Sequence, residues 1–254
     1  MSWLRATVMS CRPSGEAGNK GANVTIFRRL TAAASAAMLV GLIAPPAASA
    51  TGALTVGMRI VIGQHGCTLG FFGINSRKDR LAVTAGHCSD QVADEPVYAA
   101  NGTQIGAVVM WKRDVEDDDG KLSGSRGYTV FHVFREFSLD PFFTDVSRSL
   151  SRGDFVTKYG ERSGKTSGKV TGFRQIDGRP DLSLIKSTIV QLPGDSGCPW
   201  YVDGPTIVGM GSSGDQESDG GDAGSQAQPI GAVIDMIRDN PTVWGDDFKV
   251  WTED

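Results

Sequence analysis

Two short stretches carry side chains whose types and neighbours suit acyl transfer. In Leu192-Pro193-Gly194-Asp195-Ser196-Gly197-Cys198-Pro199 a serine stands between glycines. It can sit on a sharp turn, where its own amide and that of Gly194 would aim at one point where an oxyanion develops. In Leu81-Ala82-Val83-Thr84-Ala85-Gly86-His87-Cys88 a short apolar strand runs into a small-residue turn that ends on a histidine. An imidazole is suited to take a proton from a serine hydroxyl near neutral pH. Taken singly, each stretch has an ordinary reading: Gly-Asp-Ser-Gly is common loop composition, and a lone histidine is commonly a hydrogen-bonded structural group.

The elements that must position them are mostly strands. Short apolar runs at Met58 to Val61, Gly70 to Ile74, Leu81 to Thr84 and Val97 to Ala99 alternate with turn residues. Asn101-Gly102 marks a tight hairpin ahead of a strand from Gln104 to Trp111. Lys112 to Arg126, with the run Glu116-Asp117-Asp118-Asp119, reads as a solvated loop, and Tyr128 to Phe134 as the next strand, with His132 in it as a structural residue. Leu182 to Val190 leads to the serine turn, and Thr206 to Gly214 returns from it. Residues 215–228 are acidic and rich in Gly and Ser, the composition of a mobile loop. Ile230, Val233, Ile234 and Ile237 have helical spacing, which predicts a helix from Pro229 to Arg238 ended by Asn240-Pro241.

Residues 27–50 read as a secretory signal: Arg28-Arg29, an Ala- and Leu-rich run to Ile43, then Ala48-Ser49-Ala50 as a small-residue cleavage site. The apolar run is broken at Pro45 and too short to span a bilayer comfortably, so no membrane insertion is expected after cleavage. Initiation at Val24 would leave a signal of ordinary length. Removing residues 1–50 takes away five basic residues and one acidic, moving the net charge from −4 to −8. That balance argues against nucleic acid or an anionic membrane surface as a partner. Cys67, Cys88 and Cys198 remain, an odd number that leaves at least one thiol unpaired. The scattered histidines give no metal-ligand spacing, and no cofactor motif occurs.

Thr84-Ala85-Gly86-His87-Cys88 and Gly194-Asp195-Ser196-Gly197 together resemble the trypsin/chymotrypsin-like serine proteases, in particular their secreted bacterial, streptogrisin-like branch. The resemblance implies an all-β fold of two packed antiparallel β-barrels with a C-terminal helix. It divides the chain into residues 1–50 (extension and signal), 51–140 (first barrel), 141–152 (linker), 153–238 (second barrel and helix) and a tail, 239–254, without assignment. Gly160 to Val170 resembles the family's glycine-spaced hairpin. His87 is then the general base, Ser196 the nucleophile, and the amides of Gly194 and Ser196 the oxyanion hole. Val190, six residues before Ser196, and Ser212, Ser213 and Gly214 on the returning strand fall where the family binds substrate. An apolar residue at 190 implies no preference for Lys or Arg before the scissile bond. Cys67 and Cys88 are the implied disulfide, worth about 3 kcal/mol for a loop of this length. Cys198 reads as a small buried hydrophobe. No Ile-Val-Gly-Gly sequence follows the signal, so Asp195 is expected to be held by an arginine or by backbone donors.

The family's aspartate is missing from its usual place. It should begin the strand that here starts at Tyr128, and the residue there is Gly127. An acid from the 114–119 loop is expected instead, with Asp119 nearest in sequence. Two classes of function stay open: a secreted serine endopeptidase acting on polypeptides through an acyl-enzyme, or a protease-fold binding protein with little turnover because the aspartate is replaced.

Overall fold

The structure is a computed structural model and describes residues 51–118, 122–214 and 224–253. The signal reading, Asp119 and most of the 215–228 stretch lie outside the described residues. The first half of the chain carries β1 (Thr51–Thr55), β2 (Arg59–Ile62), β3 (His65–Thr68), β4 (Phe71–Ile74), β5 (Arg80–Ala85), β6 (Pro96–Ala99), β7 (Gln104–Lys112), β8 (Tyr128–Val133) and β9 (Phe137–Asp140). The second half carries β10 (Asp145–Val146), β11 (Phe155–Gly160), β12 (Gly164–Arg174), β13 (Leu184–Ser187), β14 (Pro199–Val202), β15 (Thr206–Ser213), β16 (Ser225–Pro229), α1 (Ile230–Arg238) and β17 (Lys249–Val250).

β11, β12, β13, β16, β15 and β14 pair in that order and β14 pairs back to β11, which closes a six-stranded barrel. The first half forms a curled sheet in the order β17-β4-β5-β8-β7-β6-β2-β3. This is the expected all-β, chymotrypsin-like architecture, with one barrel closed and the other an open, curled sheet.

Each half has its own apolar interior. Ile60, Ile62, Leu69, Phe72 and Phe131 fill the first, and Val156, Ile185, Trp200 and Val208 the second. A third cluster joins the halves: Phe71, Val83 and Tyr128 from the first sheet meet Met210 from the second and the buried face of α1, Ile230, Val233, Ile234 and Ile237. Burying this stripe is what makes a nine-residue helix stable, since so short a helix is marginal alone.

Two segments differ from the sequence expectation. Ser225–Pro229 spans the end of the stretch read as a loop and the first residue read as helix, yet it is a strand paired on both sides, with β13 and β15. The unassigned tail returns to the first sheet: Val250 pairs with Gly73, the Trp251 amide donates to the Phe72 carbonyl at 2.9 Å, and Phe248 is fully buried. It covers the edge of β4, a row of backbone groups that would otherwise be open to another chain.

Candidate functional site

His87 lies on a single 3-10 turn, Gly86–Cys88, at the end of β5. Cys88 is bonded to Cys67 on β3, as the resemblance implied, and this disulfide anchors the turn. One His87 ring nitrogen lies within 4.8 Å of both sulfurs, but sulfurs joined to each other offer no thiolate to a metal.

A carboxylate meets the imidazole. Asp114 Oδ2 is 2.5 Å from His87 Nδ1, and the Asp114 side chain is 2% exposed. Its Oδ1 accepts the amide hydrogen of Gly127. The acid comes from the loop named in the sequence analysis, five residues before Asp119. Strand pairing explains how. Lys112, the last residue of β7, is in register with Tyr128, the first of β8, and Tyr128 is also in register with Ala85 at the end of β5. The intervening loop folds on itself, the Val115 amide donating to Ser125 and the Ser123 amide to Val115. Asp114 and Gly127 therefore face each other beside Gly86.

Gly127 leaves no room for the family's aspartate. A Cβ placed there would stand 1.8 Å from the Lys112 carbonyl oxygen, and one at Gly86 would stand 2.5 Å from Asp114 Oδ1. The carboxylate reaches its place from the far side of the β7–β8 connection, and both glycines make the space. We expect Gly127→Asp to lower thermal stability, by at least the roughly 1–3 kcal/mol of overpacking, and to bring no gain in activity. A variant as stable as wild type in a melting experiment would contradict this packing.

Behind Asp114 lies Arg126, 3% exposed. Its Nε donates to Ser212 Oγ at 2.8 Å, and its Nη1 and Nη2 to the Gly124 and Leu122 carbonyls. Burial pulls its pKa down and the charge of Asp114 pushes back up. Arg126 thus ties the acid-bearing loop to the returning strand through Ser212.

The Ser196 turn packs on the same anchor. The Thr68 amide donates to the Ser196 carbonyl at 2.9 Å, and that oxygen is 3.9 Å from Cys88 Sγ. A Cβ at Gly197 would lie 2.1 Å from Thr84 Oγ1, so glycine is what allows the turn to approach β5. Gly194 has φ +104°, the left-handed region that glycine adopts without strain. The amides of Asp195, Gly197 and Cys198 donate to the carbonyls of Leu192, Gly211 and Asp195. Those of Gly194 and Ser196 donate to no acceptor among the described residues. Ser196 Oγ makes no hydrogen bond to His87.

Asp195 is fully buried and takes five hydrogen bonds. Lys158 Nζ donates at 2.9 Å, the amides of Leu192, Arg162 and Ser163 at 2.9, 2.8 and 3.0 Å, and Ser163 Oγ at 2.5 Å. Burial raises its pKa, but these donors, led by the Leu192 amide and the Ser163 hydroxyl, outweigh it and hold the carboxyl below its ordinary value. Of the two expected holders, an arginine or backbone donors, the backbone donors are present, and the cation beside them is a lysine. Its signal was in the sequence: β11 alternates exposed Phe155 and Tyr159 with buried Val156, Lys158 and Gly160, and a lysine in the inward register needs a buried partner.

Val190 is 55% exposed, with its carbonyl taking a hydrogen bond from Thr166 Oγ1. Its neighbour Gln191 is the buried one, 2% exposed. Cys198 is a buried free thiol pushed up to about 12 by burial, which keeps it protonated.

No family model and no curated protein sequence matches this chain. Solved structures do. Protease A from Thermobifida fusca is similar at 20% identity and a TM-score of 0.57, over 79% of this chain and all of that one. A Nocardiopsis protease gives 21% and 0.55, over 80% of this chain and all of that one. A glutamic-acid-specific serine protease gives 20% and 0.54, over 72% of this chain and 97% of that one. The fold is that of the bacterial chymotrypsin-like serine proteases.

Proposed function

We propose that this protein is an exported serine endopeptidase in which Asp114, His87 and Ser196 work together. The observation that carries the reading is the Asp114 carboxylate, 2.5 Å from His87 Nδ1 and seated on the Gly127 amide. It supplies an acceptor where the usual aspartate position is a glycine, and so meets the reason for reading the chain as a binding protein without turnover.

With its Nδ1 hydrogen directed at Asp114, the imidazole presents a lone pair on Nε2. Ser196 Oγ attacks the peptide carbonyl carbon while Nε2 takes the hydroxyl proton, and Asp114 stabilises the imidazolium that forms. The carbonyl electron pair moves onto oxygen, where the amides of Gly194 and Ser196 receive it. Collapse expels the amine, which leaves with the proton from Nε2. Water repeats the sequence on the acyl-enzyme, regenerating Ser196 and releasing the acid. Export fits a cut after Ala50, since the first strand begins at the next residue, Thr51.

A fluorophosphonate probe tests the reading. It should label Ser196 in the full chain after signal removal, and His87→Ala should abolish the label while leaving the fold intact by circular dichroism. Folded wild type that takes no label would overturn the reading in favour of a binding role.

A further inference from the structure

Resting on that reading, we infer that Gln191 closes the pocket for the side chain ahead of the scissile bond, so that the protease accepts only glycine or alanine there. In a protease of this fold that side chain must enter between the segment leading into the serine turn, 190–192, and the returning strand ending at Gly214. Here these two walls touch. A Cβ at Gly214 would stand 1.9 Å from the Gln191 carbonyl oxygen and 2.6 Å from its carbon. Below that contact, a Cβ at Gly211 would stand 2.5 Å from Gln191 Oε1 and 2.6 Å from Cys198 Sγ. The carboxamide occupies the space under the returning strand.

The plug is held rather than loosely placed. Gln191 Oε1 accepts from Trp200 Nε1 at 3.1 Å and from Cys198 Sγ at 3.3 Å. Trp200 is fully buried in the barrel interior, and an indole N–H can only donate. Swinging Gln191 aside for a large substrate side chain would strand that buried donor, which is why the plug does not yield to binding. Val190, the position expected to read the substrate, faces solvent, and the selecting residue is its neighbour.

Two phosphonate diphenyl esters that differ only in carrying an alanine or a phenylalanine side chain next to phosphorus read this directly, because both report on attack by Ser196. Wild type should react with the alanine ester at least about a hundredfold faster, given that a single methylene in a tight pocket is worth roughly 10- to 200-fold. Gln191→Ala should narrow that ratio at least about tenfold, and Gln191→Met, which keeps the volume but leaves the Trp200 N–H without its acceptor, should narrow it by less. Equal reaction of wild type with both esters, or an unchanged ratio in folded Gln191→Ala, would overturn the inference. Should Gln191→Ala fail to fold, the wild-type ratio decides alone. If wild type takes no phosphonate or fluorophosphonate at all, the activity reading fails separately, and indole binding followed by NMR reads the pocket. Indole should then bind Gln191→Ala and not wild type, and binding to wild type, or to neither, overturns the plug.

Discussion

Asp114→Asn should lower kcat by about ten-thousand-fold while KM changes little. The Asp114 carboxylate now receives two hydrogens, from His87 Nδ1 and from the Gly127 amide. An asparagine has a single acceptor oxygen. If that oxygen faces Gly127, its NH2 faces the imidazole and selects the tautomer with hydrogen on Nε2, which cannot take the serine proton. If it faces His87, the NH2 is turned on the Gly127 amide, donor against donor in a buried place. In the well-studied proteases of this chemistry the same exchange costs about four orders of magnitude. Asp119→Asn should stay within a few-fold of wild type, because the Nδ1 position is already taken. Active-site titration before the rate measurement separates lost chemistry from lost protein. An Asp114→Asn enzyme within tenfold of wild type would show that Asp114 does not orient His87.

Lys158→Met should be the most damaging change away from the reacting groups. It leaves Asp195, fully buried, with its hydroxyl and amide donors but without the cation at 2.9 Å. Breaking a buried pair from one side costs about 3–5 kcal/mol, which lowers the melting temperature of a domain this size by roughly 10 °C. Turnover should fall too, because Asp195 sits between Gly194 and Ser196, whose amides are proposed to receive the oxyanion. Asp195→Asn in the Lys158→Met background should recover part of the stability by removing the unpaired charge. The pH dependence has a definite sign. The folded protein holds the Asp195 carboxyl below its ordinary value, so its contribution is complete above about pH 4 and is lost as the pH falls through the depressed value. In Lys158→Met that acid loss should begin at a higher pH. A variant melting like wild type at neutral pH, with an unshifted acid limb, would mean that the backbone donors suffice.

The two reactive stretches were legible because their chemistry is local: a histidine on a turn after an apolar strand, and a serine among glycines. Local pattern also announced the strand-rich class and the helix, whose four isoleucine and valine positions mark one face. The Cys67–Cys88 pairing came by resemblance to a family rather than from spacing. What the chain order could not reveal is what pairing brings together from a distance. Asp114 and Gly127 are thirteen residues apart in sequence, and only the β7–β8–β5 register turns the first into a partner of His87 and makes the second too crowded for a side chain. β16, Ser-Gln-Ala-Gln-Pro, has no large apolar side chain, and its burial comes from neighbours on both sides. Gln191 is an unremarkable polar residue in sequence. It becomes a pocket floor because Trp200 donates to it from inside the barrel and Gly214 lies against its backbone. Residue type determined which groups can do chemistry in this protein, and tertiary packing decided which acid serves the histidine and how much space the substrate is left, since contacts and excluded volume arise only once distant strands are in register.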